Sequence, residues 1–176
     1  MKLTPVMQKY ILHWGEMGTR WGVNRTVAQI HALLYLAKDP IDAEDIATTL
    51  NVARSNVSTS LKELQGWGLV KIVHVMGDRR DHFESLHDIW DIFMVIIEER
   101  KKRELDPTLL MLRECVAEAK NDKQTDENIK QRITQTLDFM ELQSGWYEQM
   151  KQLPRPMLIK LLKLGGKIKS LLAKKT

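Results

Sequence analysis

Hydrophobic residues recur at helical spacing through most of this chain, and short breaks divide the pattern into separate helices. The pattern predicts a first helix over Pro5–Arg20 and a second over about Asn24–Ala37. Two shorter helices are predicted next, one between Asp42 and Asn51 and the other over about Ala53–Gln65. Asn24 and Asp42 stand where helix N-caps are expected. Gly66 follows the fourth helix, where a glycine can close a helix in the left-handed conformation.

One segment has the pattern of β-structure instead. Residues 69–75 are rich in β-branched side chains and lie between two glycines, too short a stretch for a helix. Residues 77–81 are typical of a turn, and residues 82–86 are predicted to return as a second strand. We therefore expect a two-stranded hairpin, although its turn lacks the favoured Asn-Gly pair.

Beyond His87 the whole chain reads as amphipathic helix, interrupted at Pro107, at the polar residues 121–126 and at Pro154-Arg155-Pro156. Four apolar stripes in this part need a surface to bury them, and a second copy of the chain offers one. The stripes cover residues 89–97, 105–116, 129–140 and 158–172. The prediction is a mainly α-helical chain with a small β-hairpin, divided into residues 1–87 and a helical dimerisation and effector region over residues 88–176.

Composition and charge narrow the classes of protein that fit. The chain has 176 residues and a formal charge of +4, with 43% hydrophobic and 28% charged residues, as in a folded globular protein. Residues 151–176 carry 8 basic and no acidic side chains and form a basic C-terminal tail. The single cysteine, Cys115, excludes a disulfide framework. No stretch approaches a membrane span or a signal-peptide core, so we expect a cytoplasmic protein without a membrane partner.

Helix, short turn, helix and hairpin in this order are the layout of a winged helix-turn-helix, whose second helix enters the major groove of DNA. The second helix of this motif, predicted over about Ala53–Gln65, carries side chains on its outward face that can all donate hydrogen bonds to bases or phosphates. A merely solvated polar face is the alternative, but serine and threonine are mediocre helix formers and need a reason to be so frequent here. These candidate DNA-binding residues are Arg54, Ser55, Asn56, Ser58, Thr59 and Lys62.

Arg79 and Arg80 at the tip of the hairpin are the second candidate DNA contact. An arginine held on a turn can enter a narrow minor groove, where the negative potential is enhanced. Asp78 and Asp81 flank the pair, and either carboxylate can orient one guanidinium through a two-pronged ion pair. A solvated charged turn is the alternative.

These residues resemble the MarR superfamily of regulators, and more narrowly its GbsR-type branch. The resemblance rests on Ala53-Arg54-Ser55-Asn56-Val57-Ser58, on Leu61-Lys62-Glu63-Leu64 through Gly68-Leu69-Val70, on Gly77-Asp78-Arg79-Arg80, and on residues 24–36. It implies a homodimeric bacterial transcription factor that binds double-stranded DNA, with Arg80 as the minor-groove arginine. The next residues, Asp81-His82, differ from those that usually follow in the superfamily's hairpin, or wing, motif. This difference leaves open which partner orients Arg80.

The GbsR-type branch is associated with choline and betaine metabolism, so the resemblance also suggests a quaternary ammonium effector. Aromatic rings can hold such a cation by cation–π attraction. Tyr10, Trp14 and Trp21 recur at helical spacing, and Tyr35 lies on the next helix. These four form a candidate ligand cage, although aromatic residues at this spacing more often belong to a core or a dimer contact.

Other signals are weaker. His74 and His82 facing each other across the hairpin would offer a metal or pH-sensing site, but no known ligand spacing is present and we expect no metal and no cofactor. The sequence contains no nucleophile, phosphate-loop or dinucleotide motif, so we expect no enzyme. For the Lys-rich tail we prefer a dimer helix or a flexible tail over a segment that binds an anionic membrane or DNA phosphates. The main alternative function is a winged-helix module that binds a protein.

Overall fold

The computed structural model describes residues 1–164, which fall into two compact units. The first unit is Met1–Arg100, and the second begins at Lys101. The predicted boundary at residue 87 lies inside the first unit, because the helix after it places Ile92 in that unit's buried core. The parts of the Lys-rich tail beyond residue 164 lie outside the described residues.

The chain is mainly helical, with one small antiparallel sheet, as the sequence predicts. The first unit contains α1 (Pro5–Arg20), α2 (Arg25–Leu36), β1 (Ile41–Asp42), α3 (Ala43–Leu50), α4 (Arg54–Gly66), β2 (Val70–Val73), β3 (His82–Ser85) and α5 (Ile89–Arg100). The second contains a π-helical turn (Lys101–Leu105), α6 (Asp106–Ala119), α7 (Glu127–Lys151) and α8 (Arg155–Leu164).

Short polar side chains fix where the first helices begin. The Thr4 hydroxyl accepts a hydrogen bond from the Met7 amide, and the Asn24 amide oxygen accepts one from Thr26. These side chains satisfy amides that have no partner within the helix, which is why α1 and α2 begin where the sequence predicts.

The end of α4 differs from the prediction. Gly66 is still helical, and the left-handed residue is Gly68, with φ of +75°. The Gly68 amide donates to the Gln65 carbonyl and the Leu69 amide to the Leu64 carbonyl, which together make a Schellman closure. This closure buries Leu69 on the last turn of the helix, and Leu69 then leads directly into β2.

The sheet has three strands in the order β1-β3-β2, one more than predicted. Phe83 of β3 lies between Ile72 of β2 and Ile41 of β1. Because β1 has only two residues, it leaves no alternating pattern in the sequence. It nevertheless joins the hairpin to Asp42, the N-cap residue of α3.

The core of the first unit forms around α2. Ile30, Leu33 and Leu34 are buried in one cluster together with Ile46 of α3. The same cluster contains Val57, Leu61 and Leu64 of α4, so α3 and α4 share this core.

Glycines let α1 lie close against α2. A Cβ atom added to Gly18 would stand 2.5 Å from the Cβ of Ala28, closer than two carbon atoms can approach. At Gly15, an added Cβ would stand 2.6 Å from the Gln29 side chain. The absence of side chains at these two positions therefore sets the separation of the two helices.

The second unit has a smaller core. Leu109 and Leu112 of α6 are buried against Leu137 of α7, and the Arg113 guanidinium donates to the Glu141 carboxylate at 2.9 Å. Two of the predicted apolar stripes thus bury each other within one chain. Among residues 1–164, no helix has both the length and the apolar character that a bilayer span needs.

Candidate nucleic-acid interface

A tight turn joins α3 to α4. Asn51 ends α3 with a left-handed φ of +52°, a conformation that asparagine adopts more readily than most residues. The Val52 amide then donates to the Ala47 carbonyl at 3.0 Å, and α4 begins at Arg54. The turn places α4 across α3 and leaves one long side of α4 without protein cover.

The predicted DNA-contacting residues all lie on that uncovered side. Val57, Ser60, Leu61 and Leu64 face the core and are buried. Ser58 is half-buried, and the other five candidates are exposed, namely Arg54, Ser55, Asn56, Thr59 and Lys62. The structure therefore brings together all six candidate residues of the helix.

Arg54 is oriented by two neighbours at the start of this row. Its guanidinium donates to the Ser58 hydroxyl at 2.8 Å and lies 3.6 Å from the Glu44 carboxylate of α3. Both charged groups are more than half exposed, so water and salt weaken this ion pair. A DNA acceptor can therefore replace Glu44 at small cost.

The hairpin forms a wing beside α4. Its turn uses Gly77 at φ of +84°, and the Asp78 amide donates to the Val75 carbonyl at 3.1 Å. Arg79 is exposed, and within residues 1–164 its side chain makes no ion pair or hydrogen bond. Arg80 points the other way, into a set of carboxylates.

Two carboxylates hold Arg80. Its Nε donates to both oxygens of Asp78 at 3.0 Å, and its Nη1 lies 2.7 Å from Oδ2 of Asp42. The hydrogen bond with Asp78 raises the pKa of Arg80 further above its ordinary value, with Asp42 adding to it. The hydrogen bonds from Arg80 hold the pKa of Asp78 well below its usual range. Asp78, rather than Asp81, is therefore the wing carboxylate that orients this arginine.

Sequence reasoning missed Asp42 as a partner of Arg80. It was predicted only as the cap of α3, and its Oδ1 does accept from the Glu44 and Asp45 amides at 2.8 and 3.0 Å. Its second contact, with Arg80, depends on the unpredicted strand β1, which aligns Asp42 opposite His82. An aspartate that follows an isoleucine and precedes a helix gives no further signal in the sequence.

A cleft of about 640 Å³ separates α4 from the base of the wing. Arg54 and Lys62 of α4 line it on one side and Arg80 on the other, while Phe83 and Ile72 form part of its apolar lining. Asp42, Glu44 and Asp81 lie there as well, so the cleft has charges of both signs. Cationic side chains from both predicted DNA-contacting elements thus border the same space.

His74 and His82 do not face each other across the hairpin. The register places Val73 opposite His82, because β2 ends at Val73 and His74 lies beyond it. His82 is buried, with its Nδ1 3.0 Å from the Arg80 carbonyl. Within residues 1–164, no three His, Cys, Asp or Glu side chains come close enough to hold a metal ion.

Three of the four candidate cage residues come together. Tyr10 and Trp14 stack with ring centroids 5.5 Å apart, and Tyr35 lines the same small cavity. Trp21 does not join them, because α1 ends at Arg20 and Trp21 caps it with a largely exposed side chain. The cavity volume of about 10 Å³ has room for about one water molecule.

His31 lies at the wall of this aromatic cavity. Its side chain is buried, and its Nε2 has no hydrogen-bond partner among the described residues. Burial lowers the pKa of His31 to about 4, so the imidazole is neutral at pH 7. Cys115, by contrast, is half-buried on α6 beside Met111, far along the chain from these groups.

Comparisons with known proteins agree with the winged-helix fold. Residues 21–81 match the family model described as MarR family. The HTH-type transcriptional repressor GbsR of Bacillus subtilis (strain 168) is 24% identical over 136 residues, which cover 76% of this chain and 75% of GbsR. A crystal structure described as a transcriptional regulator aligns with a TM-score of 0.61 at 18% identity, over 82% of this chain and 99% of that one.

The buried His31 makes stability depend on pH. Between about pH 4 and 6.5 the unfolded chain binds a proton at this histidine and the folded chain does not. The free energy of unfolding should therefore fall by roughly 3 kcal/mol between pH 7 and pH 4 on account of this group. Urea unfolding at a series of pH values measures it.

In the same measurement, His31→Gln should lose this part of the pH dependence. His13→Gln, at an exposed position on α1, is the matched control and should keep it. An equal pH dependence in the wild-type chain and in His31→Gln would contradict the assignment.

Proposed function

We propose that the chain is a regulator of the MarR superfamily, of the GbsR type and not an enzyme, and that it represses transcription by binding a pseudo-palindromic operator as a homodimer. Its site of action would be the cytoplasm, where bacterial DNA lies. The observation that carries the proposal is the cleft, which Arg54 and Lys62 of α4 border on one side and Arg80 of the wing on the other.

The exposed row on α4 supports sequence-specific binding. Small side chains such as Ser55 and Thr59 let a helix lie deep in the major groove, where Asn56 can pair with adenine and Arg54 with guanine. Lys62 lies two turns further along the same side and suits a phosphate. The similarity to GbsR, a transcriptional repressor, supports the repressor part of the proposal.

The wing supports a second contact, in the minor groove. Arg79 is exposed, and Arg80 keeps more than half of its side chain accessible despite its two carboxylate partners. A duplex whose major groove holds α4 presents its adjacent minor groove beside such a wing, and arginine is the side chain that a narrow minor groove favours.

The homodimer is supported by a second apolar face on α7. Leu137 and Met140 pack toward α6, whereas Phe139, Leu142 and Trp146 are 58%, 71% and 63% exposed. These three lie at i, i+3 and i+7 on one side of the helix. Uncharged glutamines at positions 135, 143 and 149 border them along the helix, together with the charged Asp138.

A two-fold axis suits such a face. It brings each surface against a copy of itself, so a face of one charge sign would place like charges together, and this largely apolar face limits that repulsion. The predicted dimerisation region, residues 88–176, contains α7. Two winged helices related by the same axis would then read two half-sites about 34–36 Å apart, one turn of DNA.

A quaternary ammonium effector completes the proposal. Tyr10, Trp14 and Tyr35 offer π-faces to a cation, but the present cavity has room for about one water molecule only. Such a ligand would have to separate the rings and so move α1 against α2. Because α2 packs on α4, that movement would reach the DNA-contacting helix.

Selection of bound duplexes from a random library, with the full chain, tests DNA recognition. We expect an inverted repeat to be enriched, and affinity for it to fall steeply with salt because phosphate contacts release counterions. Arg54→Ala and Asn56→Ala should each relax the preference at one or two positions, by roughly 1–3 kcal/mol per base contact.

Arg103→Ala is the control for this selection, since it removes one exposed positive charge outside the winged helix. It should keep the base preference. Enrichment of no sequence at all would favour the alternative, a winged-helix module that binds a protein.

Trp146→Glu tests the dimer. A glutamate on this apolar face would be buried in the interface without a cationic partner, so the dissociation constant should rise at least about ten-fold. Sedimentation velocity over a range of concentrations measures this. Met76→Glu, at a fully exposed position of the wing, should leave the dimer intact, and a dimer equally stable in Trp146→Glu would contradict the interface.

Calorimetry with choline tests the effector. We expect heat of binding with the wild-type chain and a change in its DNA affinity, both lost in Trp14→Ala because one π-face is removed. Trp21→Ala is the matched control, since Trp21 lies outside the ring cluster. Absence of heat with the wild-type chain, or equal losses in the two variants, would reject a quaternary ammonium ligand at this position.

A further inference from the structure

We propose that Asp42 is a positioning residue that sets the wing arginine against the first turn of α3 and thereby fixes the wing relative to α4 before DNA is bound. The proposal rests on the proposed DNA-binding function and names a residue outside the exposed DNA-contacting surface. The side chain of Asp42 is only 4% exposed, so it reaches DNA, if at all, through another residue.

The two oxygens of Asp42 act on different elements. Oδ1 accepts from the Glu44 and Asp45 amides and so holds the first turn of α3. Oδ2 lies 2.7 Å from Nη1 of Arg80 and so holds the wing. The backbone of Asp42 adds a third connection, because it pairs with His82 in the sheet.

A buried carboxylate needs its cation. Removing one partner of a buried ion pair leaves an uncompensated charge, which is strongly destabilising. Arg80 is the cationic side chain that the described residues place against Asp42. This arginine is therefore held in position by the interior of the protein and does not move as a free arm.

An ion pair with Asp78 alone would not fix the wing relative to α4. Asp78 is on the wing, two residues from Arg80, so their ion pair moves with the wing. Asp42 belongs to β1 and to the start of α3, so its ion pair joins the wing to the helix-turn-helix. The guanidinium has five N–H groups. Nε, Nη1 and one N–H of Nη2 meet the two carboxylates, which leaves two for DNA.

This arrangement lowers the cost of binding. A side chain ordered in advance loses less conformational freedom when it meets its ligand, and for a long side chain that loss is considerable. Joining Arg80 to α3 also sets the distance between the wing and α4, and hence the spacing between minor-groove and major-groove contacts.

Asp42→Asn separates the two roles of the residue. Asparagine is as good an N-cap as aspartate, so the start of α3 should be retained, whereas Arg80 loses a charged partner. We expect operator affinity to fall about ten-fold or more, with the base preference at α4 unchanged. Asp126→Asn makes the same substitution at the N-cap of α7, in the second unit, and should leave affinity unchanged.

A double-mutant cycle with Arg80→Gln tells positioning from simple loss of structure. If Asp42 acts through Arg80, Asp42→Asn should cost little further affinity in the Arg80→Gln background. Equal losses in both backgrounds, or wild-type affinity in Asp42→Asn, would overturn the proposal.

A measurement without DNA keeps this proposal distinct from the proposed function. Hydrogen exchange followed by NMR should be faster in Asp42→Asn at the Nη1–H of Arg80, the group that faces Asp42, and unchanged in the amides of α2. Unchanged exchange at Arg80 would refute the positioning role even if the chain binds DNA. Faster exchange in a chain that selects no operator would support the link to α3 while rejecting DNA binding.

Discussion

The carboxylate of Asp42 is buried, and the requirement that it be neutralised organises the winged helix. Two backbone amides of α3 and the guanidinium of Arg80 meet this requirement together. As a result, the beginning of the helix-turn-helix and the tip of the hairpin are joined through one side chain. The short strand β1 and its pairing with β3 provide the alignment that makes this contact possible.

Much of the fold could be predicted from local patterns in the sequence. Caps at Asn24 and Asp42, helical spacing in α1 to α4 and β-branched residues near 70 lead to the correct elements in the correct order. The exposed side of α4 follows too, because helical geometry separates it from Val57 and Leu61. A closure at Gly68 instead of Gly66 was missed because both glycines fit the end of a helix equally well in sequence.

The long-range features could not be predicted in the same way. Two residues of β1 carry no period, so neither the third strand nor the ion pair between Asp42 and Arg80 was expected. Likewise, spacing alone grouped Trp21 with Tyr10 and Trp14, although the helix ends before Trp21. In each case the outcome depends on a tertiary contact or on where a helix ends, and the spacing of hydrophobic and polar residues predicts neither well.

The contact between Gly18 and Ala28 limits how this protein can vary. The two positions together have space for a single methyl group, since a second Cβ would overlap the first. Alanine at 18 is therefore compatible with the present helix separation only if 28 becomes glycine. Related sequences that keep this helix separation should have either glycine at 18 with alanine at 28 or alanine at 18 with glycine at 28. Sequences with larger side chains at these two positions should have a wider separation of α1 from α2.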